Sequence, residues 1–544
     1  MCEGIVARRR NPLRKRIGGF AIEHTRHVLE YFKRGLKRKF RLQASDCLVI
    51  PRYQDLLAVP LNDLQHTSEG ALCLFHRNRL HIGILSARRP IGKAHSGASR
   101  LRSGGGALFN RSMLDIKLVR EQRDAIRQRL ATRWAGDELK IDEALALDEK
   151  RRALLVEVEN LKAQRNRVSK EIGALMGQKK LAEAEAKKTE TRDIGDRIGA
   201  LDKEVAQVEA ARDEILLRIP NVPHPSVAVG KTAEENPEIR VWGEKAQFDF
   251  KAKNHIELCE KLGLIDFARG AKLSGSGFLL YTNWGARLER ALIQFLLDLH
   301  TTSHGYTEVS PPYIINRDCM IGVGQFPKFV DQAYAVQEGL DSGTMGKLYL
   351  LPTAEAPVAN IHREEILKES QLPIKYCAYS PCFRAEAGAA GLGTRGMIRV
   401  HQFDKVELIK IVKPENGYDE LEKMVANAET VLQQLGLHYR VINLCTGDMG
   451  FASAKTYDIE VWAPGQGQFL EVSSCSNCED YQARRMNMRF KSEGGENKFP
   501  HILNGSGTAL ARLFVALIET HQQPDGTIKI PAPLQPYLRA EKIA

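Results

Sequence analysis

Residues 383–407 read FRAEAGAAGLGTRGMIRVHQFDKVE, the densest concentration of chemically active side chains in the sequence. Arg384, Glu386, Arg399, Phe403 and Glu407 stand among small residues that let a ligand approach the backbone. Read as two strands and a loop, the stretch aims Arg384, Glu386, Arg399 and Phe403 at one face, because successive strand side chains alternate sides. Arginine's planar fork grips phosphate oxygens in pairs, a carboxylate accepts from an exocyclic amine, and an aromatic ring stacks on a base. That combination suits a phosphate and base platform. The competing reading is a solvated sheet face with incidental ion pairs.

Around this stretch the chain alternates short β-rich runs (398–403, 406–411, 457–462, 468–473) with helical ones (286–303, 421–435). Regular βαβ alternation is missing, so the expected class is α+β, an antiparallel sheet flanked by helices. Near the end, Asn504, Gly505, Ser506 and Gly507 precede an apolar helical run to Ile518. This places Arg512 one to two turns into a helix, in reach of an anion at its start. It is not a P-loop, because no Gly-Lys-Ser/Thr follows. Cys475 and Cys478 form a CxxC, but zinc is not expected, since neither a second CxxC nor an HxxxH is read as offering the two further ligands of a tetrahedral site.

Upstream lies a long-helical region, from about Lys140 to Ile219. Leu147, Leu154, Leu161, Val168 and Leu175 recur every seven residues, with Val158 and Ile172 on the second seam and Arg151 and Arg165 interrupting it. After a polar break over 177–190, Ile194, Ile198, Leu201, Val205, Val208, Arg212, Ile215 and Ile219 step by four and three. Two heptad segments joined by a turn predict an antiparallel hairpin, about 35 residues and roughly 50 Å per helix. Its 17 basic and 17 acidic residues balance. The hairpin is therefore a spacer, a dimerisation device or, through placed residues such as Lys162, Arg165, Arg167 and Lys170, an RNA contact. Pro220, Pro223 and Pro225 end it, since proline lacks the amide a helix needs.

The 544 residues allow about three domains, and 43% hydrophobic with 27% charged content is ordinarily globular. No apolar run is long enough to cross a bilayer. Ten scattered cysteines suggest free thiols in a reducing compartment, which favours the cytosol. The net charge of +12 is concentrated at the start: residues 1–112 hold 22 Lys and Arg against 7 Asp and Glu, the rest 57 against 60. Bulk charge therefore says nothing about the main body. Residues 1–112 carry basic clusters, no persistent core pattern and a Gly-rich end, and lack a secretory apolar core. They are expected to be poorly ordered and without part in the chemistry, with Met113 a candidate natural start.

The two clusters, together with Thr353, Ala354, Glu355, the run from Glu471 through Cys475 to Asn477, and the phrase Ile219, Pro220, Asn221, Val222, Pro223, His224, resemble a bacterial-type seryl-tRNA synthetase. The resemblance runs from Met113 to about Leu538. It implies a helical tRNA-binding arm over 113–223 and a class II catalytic domain over 224–544, behind an unrelated extension, 1–112. It implies an ATP-dependent activation of L-serine to seryl-adenylate, then transfer to tRNA(Ser), and to tRNA(Sec) where the host has it. Arg384 and Arg512 would be the catalytic arginines. Thr353, Ala354, Glu355, Arg384, Glu407, Asn504 and Ser506 would hold serine. Arg384, Ala385, Glu386, Arg399, Phe403, Glu471, Val472, Ser473, Ser474 and Arg512 would hold ATP, with Phe403 beneath adenine, Arg512 over it and Glu386 on its amino group. Glu471 and Ser474 would coordinate Mg²⁺. The segment from Gly305 to Pro312 resembles the family's dimer-forming element, implying a homodimer, and the enzyme would be cytoplasmic. Two alternatives differ in class: a synthetase-like ligase charging a carrier protein, which has no use for the arm, and a non-enzymatic RNA-binding scaffold, for which the arginines and acids would be dispensable.

Overall fold

The computed structural model describes residues 114–336, 348–387 and 396–544 in full, and the backbone of two earlier strands. The chain divides into two compact units, Met1–Ser103 and Gly104–Ala544. In the first, Ala71–His76 and Arg79–Ile84 pair antiparallel, with Ala71 opposite Ile84. The sequence reading had no strand there, and its expectation of a poorly ordered extension otherwise lies outside the described residues.

In the second unit two short helices, Ile116–Glu121 and Arg123–Ala131, precede the hairpin. Helix α1 (Lys140–Gly177, 38 residues) and helix α2 (Leu181–Leu217, 37 residues) pack antiparallel. Val158, Val168, Ile194, Ile198 and Leu201 are buried between them, with Leu154, Leu161 and Ile172 against them. The expected break over 177–190 shrinks to Gln178, Lys179 and Lys180, with Lys179 at φ +60. The polar run after Lys180 is rich in Ala, Glu and Lys, strong helix formers that need no buried face to stay helical. At the base the seam turns ionic. Asp148 is buried in place of Leu147, and Arg212 approaches it at 3.5 Å while pairing with Asp213 at 2.8 Å. Arg120 and Arg152 face the same carboxylate at 3.4 and 3.3 Å. Arg151, which interrupts the second seam, binds Glu209 across the hairpin at 2.6 Å.

Leu216 and Ile219 join Ile126, Leu130 and Ile141 in a core shared with Phe451 and Tyr481 of the main body. The proline-rich exit is strapped down through Asn221, whose side-chain amide donates to the carbonyls of Ala452 and Cys478 at 3.0 and 2.9 Å. Arg485, 1% exposed, donates to Leu217 O at 2.8 Å.

The main body is one eight-stranded sheet. In chain order its strands are β1 (Glu238–Trp242), β2 (Thr307–Glu308), β3 (Ile374–Phe383), β4 (Gln402–Val412), β5 (Tyr439–Asn443), β6 (Lys455–Ala463), β7 (Gln468–Asn477) and β8 (His501–Ala509). They lie in the order β1-β5-β6-β7-β8-β4-β3-β2, antiparallel throughout except that β2 joins the edge of β3 in parallel. Helices α3 (His255–Leu262), α4 (Asn283–Thr302), α5 (Gly417–Gln434) and α6 (Leu510–Thr520) contribute to the large core. α6 buries nine of its eleven residues, which fits its nearly unbroken apolar sequence. The expected antiparallel α+β class holds. Two local expectations do not. Residues 398–401 are bend and irregular backbone, the strand starting only at Gln402, and the Asn504 to Gly507 segment lies inside β8 rather than in a loop before a helix. Among the described residues no helix is long and apolar enough to cross a membrane.

Candidate active site

β3 and β4 pair with Phe383 opposite Gln402 and Cys382 opposite Phe403. Arg384 leaves β3 at once, and its amide donates to the His401 carbonyl at 2.9 Å. Its guanidinium lies over the Phe403 ring, 5.1 Å from the centroid. Glu386 follows at φ +48 and accepts from Arg399 Nε at 2.6 Å. Arg384, Glu386, Arg399 and Phe403 therefore meet, but through a tight turn and a bend rather than strand alternation. Gln332, which no motif marked, clamps the turn: its carbonyl accepts from Ala385 N at 3.0 Å, and its side chain bonds the amide and carbonyl of Ala387 at 3.2 and 3.0 Å. Ala385 thus takes part through its backbone.

Gln332, Arg384, Glu386, Ala387 and Arg399 line a cleft of about 480 Å³ whose lining also includes Thr353, Glu355 and Asn504. At its floor Lys405 Nζ contacts the Glu407 carboxylate and donates to Thr353 Oγ1 at 2.9 Å, while Thr353 Oγ1 donates to Glu407 Oε2 at 3.1 Å. Glu407 and Lys405 are 2% and 6% exposed, so each charge is matched by the other. Glu355 has no such cation. It accepts from Gln482 Nε2 at 2.7 Å, and burial together with the nearby Glu407 charge pushes its carboxyl up to about 7. Ala354 is fully buried and holds the start of the short helix Glu355–Ala359. Asn504 donates to Cys478 Sγ at 3.4 Å and faces the cleft. Ser506, 9% exposed, stands opposite Glu407 across a bulge in the β4–β8 ladder. The extra residue there is Gly507, where a Cβ would lie 2.6 Å from His300 Nε2, so only glycine fits.

The neighbouring face is built on β6 and β7. Glu471 and Ser474 are three apart, a spacing that in a regular strand puts side chains on opposite sides. A register shift rescues them: Ile459 pairs with Ser473 and Glu460 with Glu471, leaving Val472 as the extra residue. Glu471 and Ser474 then share the open face, while Val472 and Ser473, both 1% exposed, turn inward, Ser473 Oγ donating to Ser506 O at 2.5 Å. The side chains of these two expected ATP-binding residues do not reach the cleft. Opposite Ser474 stands Asp458, 9% exposed, with Oδ1 lacking a hydrogen-bond partner and a carboxyl held well above the usual range by burial and the Glu471 charge. Arg512 is the third residue of α6, not one to two turns in, because β8 runs unbroken into the helix. It donates to Glu471 O at 2.9 Å and to Ile398 O at 3.1 Å.

Cys475 and Cys478 are both buried, and burial pushes the Cys475 thiol up to about 12. His300 and His304 carry an HxxxH spacing that the sequence argument against zinc passed over. Their Nδ1 atoms are 3.0 Å apart, and burial holds His300 down at about 3. Among the described residues no three His, Cys, Asp or Glu side chains form a metal-binding group.

An antiparallel sheet that brings paired arginines, an aromatic shelf and a carboxylate pocket onto one face defines the class II aminoacyl-tRNA synthetases. The family model for the tRNA synthetase class II core domain (G, H, P, S and T) matches residues 335–521, and that for the seryl-tRNA synthetase N-terminal domain matches 113–223. A serine–tRNA ligase of Akkermansia muciniphila is 53% identical over 432 residues, 79% of this chain and 99% of the relative, and that of Geobacter sulfurreducens 52% over 427 residues, 78% and 98%. The solved structure of seryl-tRNA synthetase from Pyrococcus horikoshii complexed with ATP superposes at a TM-score of 0.74 with 41% identity, covering 79% of this chain and 99% of that one. The cytoplasmic serine–tRNA ligase of Naegleria fowleri in complex with AMP gives 0.70 and 32%, covering 79% and 98%. The chain belongs to the seryl-tRNA synthetase family. Its activity is that of a class II serine–tRNA ligase, joining serine to tRNA at the expense of ATP.

Proposed function

We propose that the cleft works as follows. The serine ammonium seats against Glu355, and the hydroxyl reaches toward the Thr353, Lys405 and Glu407 cluster, with Asn504 and Ser506 beside it. The observation carrying this division is that Lys405 neutralises Glu407 and leaves Glu355 without a cation of its own. Alanine leaves the polar floor unpaired and is rejected strongly, while threonine is excluded by size.

Arg384 holds the serine carboxylate and the α-phosphate together. A carboxylate oxygen attacks phosphorus, the bond to the bridging oxygen breaks, and pyrophosphate departs. Both reactants are anions, so the guanidinium groups act chiefly by cancelling repulsion in a partly enclosed site. Arg399 and Arg512 serve the distal phosphates, Phe403 supports adenine, and Glu386 accepts from its amino group. Glu386 is engaged by Arg399 and Phe403 is covered by Arg384, so an adenine seated there exchanges one set of contacts for another. A terminal ribose hydroxyl of tRNA then attacks the activated carbonyl and AMP leaves.

Glu471 and Ser474 offer Mg²⁺ the hard oxygen donors it prefers, and the unpartnered Asp458 oxygen behind them suits a hydrated cation. Bound there, the ion would neutralise phosphate charge. The division into a 113–223 arm that contacts the tRNA and a 224–544 catalytic domain follows the same reading, with tRNA(Sec) a further acceptor where the host makes it. The arm recognises the long variable arm by backbone and shape, which its balanced charge tolerates. Homodimer formation through the Gly305 to Pro312 element is supported by the exposed Tyr313 and Ile314 that follow it. The enzyme is assigned to the cytoplasm. Serine-dependent exchange of pyrophosphate into ATP tests the scheme: Arg384→Ala abolishes it, and near-normal exchange in that variant overturns the Arg384 assignment.

A further inference from the structure

Helix α6 carries Arg512 near its start and Glu519 near its end, seven residues and so two turns apart on one side. Glu519 is fully buried and accepts four hydrogen bonds. His255 N donates to Oε1 at 2.7 Å, Gln466 Nε2 to Oε1 at 3.0 Å and Gly465 N to Oε2 at 2.8 Å, while His255 Nδ1 lies 3.1 Å from Oε1. Gln466 Nε2 also lies 3.1 Å from Nδ1, but the carboxylate at the same distance favours the imidazole proton on Nδ1. The other ring nitrogen, Nε2, is then an acceptor, and the Met397 amide donates to it at 3.3 Å. Gly396 passes so close, at φ +79, that a Cβ would lie 2.1 Å from Nε2. One residue on, Ile398 O accepts from Arg512 at 3.1 Å, and the next residue is Arg399.

We propose that His255, oriented by Glu519, is a positioning residue for ATP: it seats the Gly396 to Ile398 segment so that Arg399 points into the cleft. One helix thereby holds two successive backbone groups of the segment, Met397 N through His255 and Ile398 O through Arg512. No part of this network touches the serine pocket, so its loss falls on the nucleotide. The inference rests on the ATP role given to Arg399.

The variants separate the contacts. His255→Asn keeps a donor near Glu519 but loses the distal acceptor, whereas His255→Gln places an acceptor where Nε2 was. In pyrophosphate exchange by the full chain, His255→Asn raises KM for ATP about five- to tenfold, the usual worth of one hydrogen bond. KM for serine and Tm stay close to the parent values, and His255→Gln restores most of the ATP affinity. Gly396→Ala, which crowds the same contact from the other side, gives the same ATP-specific loss. Arg399→Ala serves as the reference and raises KM for ATP by at least as much. If Arg399→Ala has no effect on ATP, the nucleotide assignment itself fails. If it does, and His255→Asn is unaltered, is indistinguishable from His255→Gln, or weakens both substrates with a lowered Tm, the positioning role is overturned.

Discussion

Glu355 and Glu407 lie in one small pocket with opposite electrostatic fates. Lys405 keeps Glu407 paired at the floor, whereas Glu355, with a single amide donor, is lifted to about 7 by burial and by Glu407 itself. A raised carboxyl binds an ammonium only once its proton has left, so serine affinity increases as pH rises through about 7. The KM for serine in pyrophosphate exchange is therefore expected to fall between pH 6 and 8 and then level off. Glu355→Gln raises KM for serine between about tenfold and a hundredfold, as for a lost hydrogen bond to a charged group, and flattens the profile. A parent profile without this slope would remove Glu355 as the ammonium acceptor. At this scale the sequence was legible where chemistry needs rare residue types close together: Arg384, Glu386, Arg399 and Phe403 converge as expected. It was silent on Lys405, Gln332 and Gln482, whose roles come from three-dimensional neighbours rather than from any spacing.

The element scale shows why spacing alone misleads. Glu471 and Ser474 share a face only because the strand bulges at Val472, and no residue in that run announces a bulge. The strand expected over 398–403 begins late because His401 N bonds Gly277 O, 2.8 Å away, instead of a ladder partner. The hairpin was easier, since its heptads repeat over about eight turns in the first helix and about seven in the second. Its error lay at the tip, where a helix whose buried contact is as small as Ala184 looks like a loop. Arg212 is a different case: its position in the seam was plain, but its partner Asp148 lay one residue off the expected leucine. Breaking that buried pair is costly, so Asp148→Ala is expected to destabilise the base of the arm by about 3 kcal/mol, read as a lowered Tm. An unchanged Tm would mean the pair contributes nothing. Shortening the hairpin between Leu161 and Leu201 should leave pyrophosphate exchange intact and remove tRNA charging. Charging that survives the deletion would place tRNA recognition elsewhere.

In the whole molecule, the arm base, the proline strap and the catalytic body share one core through Phe451 and Tyr481, and Phe451 also lines the cleft. In the proposed scheme, adenylate chemistry needs only the sheet and its face, whereas transfer needs the arm as well. Met1–Ser103 forms a unit of its own, and the family models match only 113–223 and 335–521. Deleting residues 1–112 is accordingly expected to leave exchange and charging at parent levels; a large loss in either would give that region a working role. The central claim is that arginines and hard-oxygen donors on this sheet let two anions meet so that serine is adenylated. Its most direct test is pyrophosphate exchange by the purified full chain with each amino acid in turn. Exchange that depends on serine, is lost in Arg384→Ala and is negligible with alanine or threonine is the predicted result. Exchange that ignores serine, or a folded protein that catalyses none, would contradict it.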